Sequence, residues 1–164
     1  MCTRLVYLGP NDTVITARSM DWKVEVIVVP VTDVDRAKAF YAEQLGFHVD
    51  LDATPKPGFR VVQMTPQGSG CSVTIGTGMS EMTPGTLQGM QICVADIDAA
   101  HAELVERGVD VTSVRNLGAD GWVDGKGEDW NAFFFFKDPD GNGWAVQESP
   151  TMRNQLETVA ASHA

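Results

Sequence analysis

The chain has 164 residues, which suits one domain, and its 43% hydrophobic and 21% charged residues are typical of a globular protein. The formal net charge of -10 argues against a nucleic-acid partner, because duplex binding depends on Lys and Arg meeting phosphates. Hydrophobic runs are all shorter than the roughly 18 residues of a membrane span, so no membrane partner is expected. Three cysteines without paired spacing favour a reducing compartment, which predicts a cytoplasmic location.

The first 22 residues share no pattern with the rest of the chain. Two β-prone runs, Arg4–Leu8 and Val14–Ala17, flank a Gly-Pro-Asn-Asp turn and predict a hairpin. With Cys2, Arg18 and Asp21, this leader resembles the start of the choloylglycine hydrolase and penicillin V acylase family. In that family the freed cysteine is the nucleophile. The residues that stabilise the oxyanion in that family lie outside the segment that resembles this leader. No amidase activity is therefore expected from the leader.

Residues 23–78 are predicted to form a strand, a helix and further strands. The β-branched run from Val24 to Val31 favours a strand, and Asp33 is placed to cap the helix that follows. Gly46 suits a left-handed residue that ends this helix. The helix has one apolar stripe, formed by Val34, Ala37, Phe40 and Tyr41.

Residues 87–150 repeat the same order of elements. The run Val31-Thr-Asp-Val-Asp-Arg-Ala37 matches Val94-Ala-Asp-Ile-Asp-Ala-Ala100, and a Pro-X-Gly turn recurs later in each half. The added length of the second half is predicted to be a loop over residues 116–130. The sequence therefore predicts an α+β fold of two βαβββ modules packed as one domain over residues 23–150, followed by a tail at 151–164.

These modules resemble the vicinal-oxygen-chelate superfamily, which includes glyoxalase I, extradiol dioxygenases, fosfomycin-resistance enzymes and bleomycin-binding proteins. The resemblance rests on the segment Val31–Tyr41, on Leu45-Gly-Phe47, and on Asp138-Pro-Asp-Gly-Asn142 before a final strand. It implies that the two modules cup a pocket between concave sheet faces. Enzymes of the superfamily hold a divalent metal in that pocket through His, Glu or Gln.

The resemblance places the metal ligands in the first and last strand of each module. The corresponding residues here are Val26, Ser72, Gly89 and Ala145. These side chains do not make a divalent-metal site, so no metal cofactor is expected. A one-residue shift of the alignment would place Glu25 or Gln88 at a metal-ligand position. It would also turn the other side of that strand toward the pocket.

Strand alternation then predicts a pocket suited to a small organic molecule. Its expected lining is Val26, Val28, Arg60, Ser72, Thr74, Gln91, Phe133, Phe135 and Gln147, with Trp130 contributed by the long loop. Trp122 lies in the same loop, where it could cover the pocket or anchor the loop.

Three functions are compatible with this sequence. The first is a bleomycin-resistance-like protein that binds a small organic molecule without catalysis, and no catalytic residue can be assigned. The second is a glyoxalase-like lyase or isomerase that acts on a thiol conjugate or an epoxide with a shifted metal site. The third is a module that binds another protein. The resemblance is also compatible with a homodimer, although no residue of the sequence marks the interface.

Overall fold

The computed structural model describes residues 4–8, 14–18 and 23–154. In the leader, strands β1 (Arg4–Leu8) and β2 (Val14–Arg18) pair in antiparallel orientation. This pairing confirms the predicted hairpin. Cys2 and Asp21, which carry much of the resemblance to the hydrolase family, lie outside the described residues.

The first module has the predicted order of elements. A four-stranded sheet with the order β3-β6-β5-β4 packs against helix α1. The elements are β3 (Val26–Val28), α1 (Val34–Ala39), a π-helical segment (Phe40–Gln44), β4 (His48–Lys56), β5 (Phe59–Thr65) and β6 (Ser72–Thr77). Strand β3 is shorter than predicted. The apolar stripe predicted one continuous helix and did not indicate that its last part is π-helical.

The second module repeats this plan and adds one strand. Its elements are β7 (Met90–Val94), α2 (Ile97–Glu106), β8 (Arg115–Gly118), β9 (Gly121–Asp124), β10 (Phe133–Lys137) and β11 (Gly143–Glu148). They form a sheet with the order β7-β11-β10-β8-β9. The segment predicted as a loop therefore contains most of a β-hairpin, β8–β9, that extends the sheet.

The helix ends follow the sequence prediction closely. The carboxylate of Asp33 accepts from the backbone N–H groups of residues 35 and 36, and Asp96 caps α2 in the same way. Gly46 and Gly108 have φ of 72° and 78°, the left-handed conformation expected at these positions. Among the described residues, no helix is long and apolar enough to cross a membrane.

Both modules share a single hydrophobic core. Phe40 of the first module packs against Phe136 with ring centroids 6.1 Å apart, and Tyr41 packs against Trp144 at 6.0 Å. The core also includes Val62 and Ile75 from the first sheet together with Phe134 and Val146 from the second. Each sheet therefore turns one face toward this common core, and its other face points away from it.

Candidate ligand-binding face

The side of the second sheet that points away from the core carries most of the predicted ligand-binding residues. Strand β10 alternates, with Phe134 and Phe136 buried in the core, so Phe133 and Phe135 project on the opposite side. In strand β11 the paired positions are Gln147, opposite Phe133, and Ala145, opposite Phe135. We call this side the second outer face, defined by Gln91, Arg115, Trp122, Phe133, Phe135 and Gln147.

Three aromatic rings form the centre of the second outer face. The Trp122 ring lies 5.5 Å from Phe133 and 5.1 Å from Phe135, in edge-to-face contact with both. Phe133 and Phe135 are parallel to each other, with centroids 6.4 Å apart. Trp122 is nevertheless 44% exposed, so this aromatic group is open on its outer side.

Amide side chains border the aromatic group along β7 and β11. The Gln91 Nε2 donates to Gln147 Oε1, and the Gln147 Nε2 donates to the carbonyl oxygen of Trp130 at 2.6 Å. Trp130 has a φ of 65° and is 47% exposed. A bulky residue in the left-handed region is strained, and such strain is found preferentially near functional sites.

Two cations accompany the aromatic rings on this face. Arg115 lies opposite Phe133 in the β8–β10 pairing, and its Nη2 is 3.6 Å from Asp124 Oδ1. Lys137 follows Phe135 at the next outward position of β10 and is exposed. The face can therefore offer ring stacking, amide hydrogen bonds and the charge of Arg115 to a small molecule, whereas Lys137 lies beyond the rings at the end of β10.

A cavity of about 660 Å³ adjoins the Phe135 end of this face. Gly89 and Gly143 leave part of its wall without side chains, while Asp110 and Lys137 contribute one charge of each sign. This volume lies within the range of small-molecule sites.

The predicted residues of the first module lie on the corresponding side of the first sheet. Ser72 and Thr74 pair with Val26 and Val28 of β3, and Gln63 lies opposite Thr74. We call this side the first outer face, defined by these five residues. The Ser72 hydroxyl accepts from Gln63 Nε2 at 3.2 Å. The Thr74 hydroxyl is buried and has no hydrogen-bond partner within residues 23–154.

Arg60 does not lie on the first outer face, so its predicted orientation into the pocket is wrong. It shares the core side of β5 with Val62 and binds Asp52 with Nε and Nη2, both at 2.9 Å, and Asp35 at 2.8 Å. The carboxylate of Asp52, and to a smaller extent that of Asp35, raises the pKa of Arg60. Arg60 in turn lowers the pKa of Asp52. The prediction counted back the same number of residues in both hairpins. However, Thr74 pairs with a residue eleven positions earlier, whereas Gln147, the corresponding residue of the second module, pairs with one fourteen positions earlier. The same count therefore reaches opposite sides of the two strands.

The two outer faces are not brought together within one chain. Because both sheets turn their other sides toward the common core, the set with Ser72 and Thr74 points away from the set with Gln91, Phe133, Phe135 and Gln147. Within one chain, the residues predicted to line the cup therefore lie on two separate faces.

The residues at the family's metal positions do not fit a divalent ion. Val26 and Ser72 are paired on the first outer face, and Gly89 and Ala145 line the cavity beside the second. Together they offer one hydroxyl and no imidazole or carboxylate. Within the described ranges no group of three or more His, Cys, Asp or Glu side chains is placed to hold a metal. The amide nitrogen of Gln88, one of the two shifted alternatives, donates to the carbonyls of Gly85 and Gly141.

Sequence reasoning missed Arg115 and Lys137 and left the position of Trp122 open. Arg115 and Trp122 belong to the β8–β9 hairpin. Most of this hairpin, from residue 116 onward, was predicted as loop, so no strand alternation was applied to it. Lys137 could have been predicted from the sequence pattern, because it continues the alternation of Phe133 and Phe135.

Comparison with known proteins supports this architecture. Residues 23–146 match the family model described as the Glyoxalase/Bleomycin resistance protein/Dioxygenase superfamily. None of the curated proteins compared with the chain matches it.

Several solved structures share the fold at substantial identity. TnmS3, an antibiotic binding protein from Streptomyces sp. CB03234, is 33% identical with a TM-score of 0.64, covering 80% of this chain and 99% of TnmS3. A glyoxalase/bleomycin resistance protein from the same organism is 34% identical with a TM-score of 0.61, covering 76% and 99%. A superfamily member from Sphaerobacter thermophilus DSM 20745 is 30% identical with a TM-score of 0.64, covering 80% and 100%. The chain therefore belongs to the glyoxalase/bleomycin resistance protein/dioxygenase superfamily.

Proposed function

We propose that this protein binds a small aromatic organic molecule on the second outer face and does so without the metal used by enzymes of its superfamily. The observation that carries the proposal is the open group of Trp122, Phe133 and Phe135, which presents ring faces and edges to the outside of the sheet. Stacking on such rings contributes about 0.5–1.5 kcal/mol beyond the burial of area. The similarity to TnmS3, described as an antibiotic binding protein, supports the same class of function.

The proposal includes a second copy of the chain, which completes the cup. Strands β3 and β7 lie at edges of their sheets, and each carries residues of an outer face. Val24 and Val26, beside and within β3, are 67% and 37% exposed. A homodimer in which β3 of one copy approaches β7 of the other would bring the first outer face of one copy beside the second outer face of the other and cover these valines.

The protein is further proposed to act in the cytoplasm. Cys71 and Cys93 are free thiols, and Cys93 is exposed on the same side of β7 as Gln91. An exposed thiol is most stable in a reducing compartment, which supports this location.

A neutral fluorescent probe tests the binding proposal. N-phenyl-1-naphthylamine is uncharged, aromatic and more fluorescent in apolar sites, so its titration measures binding to the rings alone. We expect saturable binding that weakens about tenfold in Trp122→Ala, since the variant loses a ring contact and buried area. Val105→Ala is the matched control, because Val105 is an exposed apolar residue of α2. Failure of the probe to bind, or equal affinity in wild type and Trp122→Ala, contradicts the proposal.

Sedimentation velocity tests the second copy. We expect a dimer mass at micromolar concentration and a shift toward monomer in Val26→Lys, which places a charge on the apolar edge of the first sheet. Probe affinity should fall together with dimerisation. A monomer that retains full probe affinity would show that the second outer face binds without a partner.

Metal addition separates the binding protein from the lyase or isomerase alternative. After dialysis against nickel, zinc, manganese and iron, we expect less than about 0.1 ion per chain by elemental analysis, because the family's positions lack suitable donors. Near-stoichiometric metal would favour the enzyme, and turnover of a thiol conjugate or an epoxide would then be the next assay.

A further inference from the structure

Arg115 is a cation of the second outer face whose hydrogen-bonding capacity is largely unused. Its contact with Asp124, at 3.6 Å, is longer than a hydrogen bond. Its Nε is buried and has no partner within residues 23–154. A guanidinium has five N–H donors, and donors left unpaired in a partly buried site destabilise the protein.

The position of Arg115 relates this cation to the aromatic group. Residue 115 is paired with Phe133 across the β8–β10 ladder and therefore lies on the same side of the sheet. Two residues further along β8, Leu117 is paired with Trp122. The Arg115 side chain, 34% exposed, borders the rings and remains accessible from outside.

Asp124 is a weak competitor for Arg115. Its side chain is 76% exposed, and its Oδ1 also accepts from the Ser113 hydroxyl at 2.9 Å. Exposed ion pairs of this kind contribute about 0–1 kcal/mol, since water screens them. A ligand oxygen held by ring stacking could replace this contact at little cost and form charge-assisted hydrogen bonds.

We propose that Arg115 makes the second outer face selective for aromatic molecules that carry an anionic oxygen, such as a carboxylate, sulfonate or phenolate. The proposal rests on the proposed function, because the rings must first hold the aromatic part of the molecule. Arg115 acts as the specificity-determining residue by pairing with the anionic group. The planar fork of a guanidinium suits this recognition better than a lysine does.

Lys137 provides the matched control for this assignment. It carries the same charge and lies on the same side of the same sheet, beyond Phe135. Lys137 and Asp110 both line the cavity that adjoins this face. A general effect of positive charge would therefore appear equally on removal of Lys137, whereas a specific contact would appear only on removal of Arg115.

Two probes with one ring system test the proposal. The first, 8-anilinonaphthalene-1-sulfonate, is anionic, and N-phenyl-1-naphthylamine is its uncharged counterpart. Both are titrated into wild type, Arg115→Gln and Lys137→Gln at low and at 0.5 M salt. We expect Arg115→Gln to weaken the anionic probe about tenfold at low salt and the neutral probe less than about twofold. In Lys137→Gln the anionic probe should change less than about threefold.

The outcomes distinguish a failure of the role proposed for Arg115 from a failure of the proposed function. Equal effects of Arg115→Gln on both probes, or equal effects of both variants on the anionic probe, overturn the role of Arg115 and leave ring binding intact. If neither probe binds the wild-type protein, the proposed function itself fails. Thermal unfolding of each variant checks that the fold is retained before the affinities are compared.

Discussion

The Tyr41 hydroxyl donates a hydrogen bond to Asp138 Oδ2 at 2.9 Å, joining the first module to the turn between β10 and β11 of the second. The same hydroxyl accepts from Trp144 Nε1 at 3.2 Å. Asp138 also accepts from the Asn142 amide at 2.7 Å, and Asn142 donates to the carbonyl of Pro30 at 2.9 Å. Burial, and then the charge of Asp138, raise the pKa of Tyr41, so its hydroxyl stays protonated and remains a donor.

Removal of this hydroxyl should destabilise the domain. In Tyr41→Phe, Trp144 Nε1 loses its acceptor and the buried Asp138 carboxylate loses one donor. We expect the free energy of unfolding to fall by about 1–3 kcal/mol, measured by urea denaturation. Ser113→Ala, which removes an exposed hydroxyl bound to Asp124, should change it by less than about 0.5 kcal/mol. Similar losses in the two variants would contradict the importance of the buried network.

The turn that carries this network illustrates what the sequence could predict. Asp138-Pro-Asp-Gly-Asn142 was predicted as a hairpin turn, and the structure confirms it between β10 and β11. Its contacts with Tyr41 and Pro30 span about a hundred residues of sequence. No local pattern encodes such a distance, so the role of the turn in joining the modules emerges only from the fold.

The acid stability of the first module should depend on Asp52. Arg60, and then Lys38, lower the pKa of Asp52 well below its ordinary value of about 3.9. A carboxylate with a lowered pKa in the folded state stabilises the protein at pH values above its pKa in the unfolded chain. That contribution is lost as the pH falls toward the pKa in the folded state. In Asp52→Asn we therefore expect a lower Tm at pH 7, and a difference from wild type that shrinks below about pH 4.

Thermal unfolding of both proteins between pH 7 and pH 2.5 measures this dependence. Asp120→Asn, in the turn between β8 and β9, makes the same change of charge outside the Arg60 and Lys38 contacts. Its Tm at pH 7 should differ little from that of wild type. A difference for Asp52→Asn that is constant across this range would show that the ion pairs do not stabilise the fold.

Repeat matching predicted the architecture better than the orientation of individual side chains. Phe133 and Phe135 lie on the predicted side of β10, whereas Arg60, at the corresponding offset in β5, points to the core side. Strand alternation has a period of two residues, so a three-residue error in the offset between paired residues reverses every side chain of the earlier strand. Hydrophobic alternation could have corrected this error, because Val62 and Met64 are core residues that share a side with Arg60.

Trp130 should reveal backbone strain beside the second outer face. It is the third residue of the Glu128–Asn131 turn, and its φ of 65° favours glycine over any residue with a Cβ atom. Trp130→Gly and Trp130→Ala both remove the indole, so their difference isolates the backbone term. We expect the glycine variant to be the more stable by about 1 kcal/mol in urea denaturation, because it relieves the left-handed strain.

The same pair of substitutions at Trp122 should give the opposite sign. Trp122 lies within strand β9, where glycine is disfavoured relative to alanine because it loses more conformational freedom on folding. We therefore expect Trp122→Ala to be more stable than Trp122→Gly by about 0.5–1 kcal/mol. If alanine is preferred at both positions, Trp130 is not strained in solution. Its conformation would then need no compensation from the Gln147 hydrogen bond to its carbonyl.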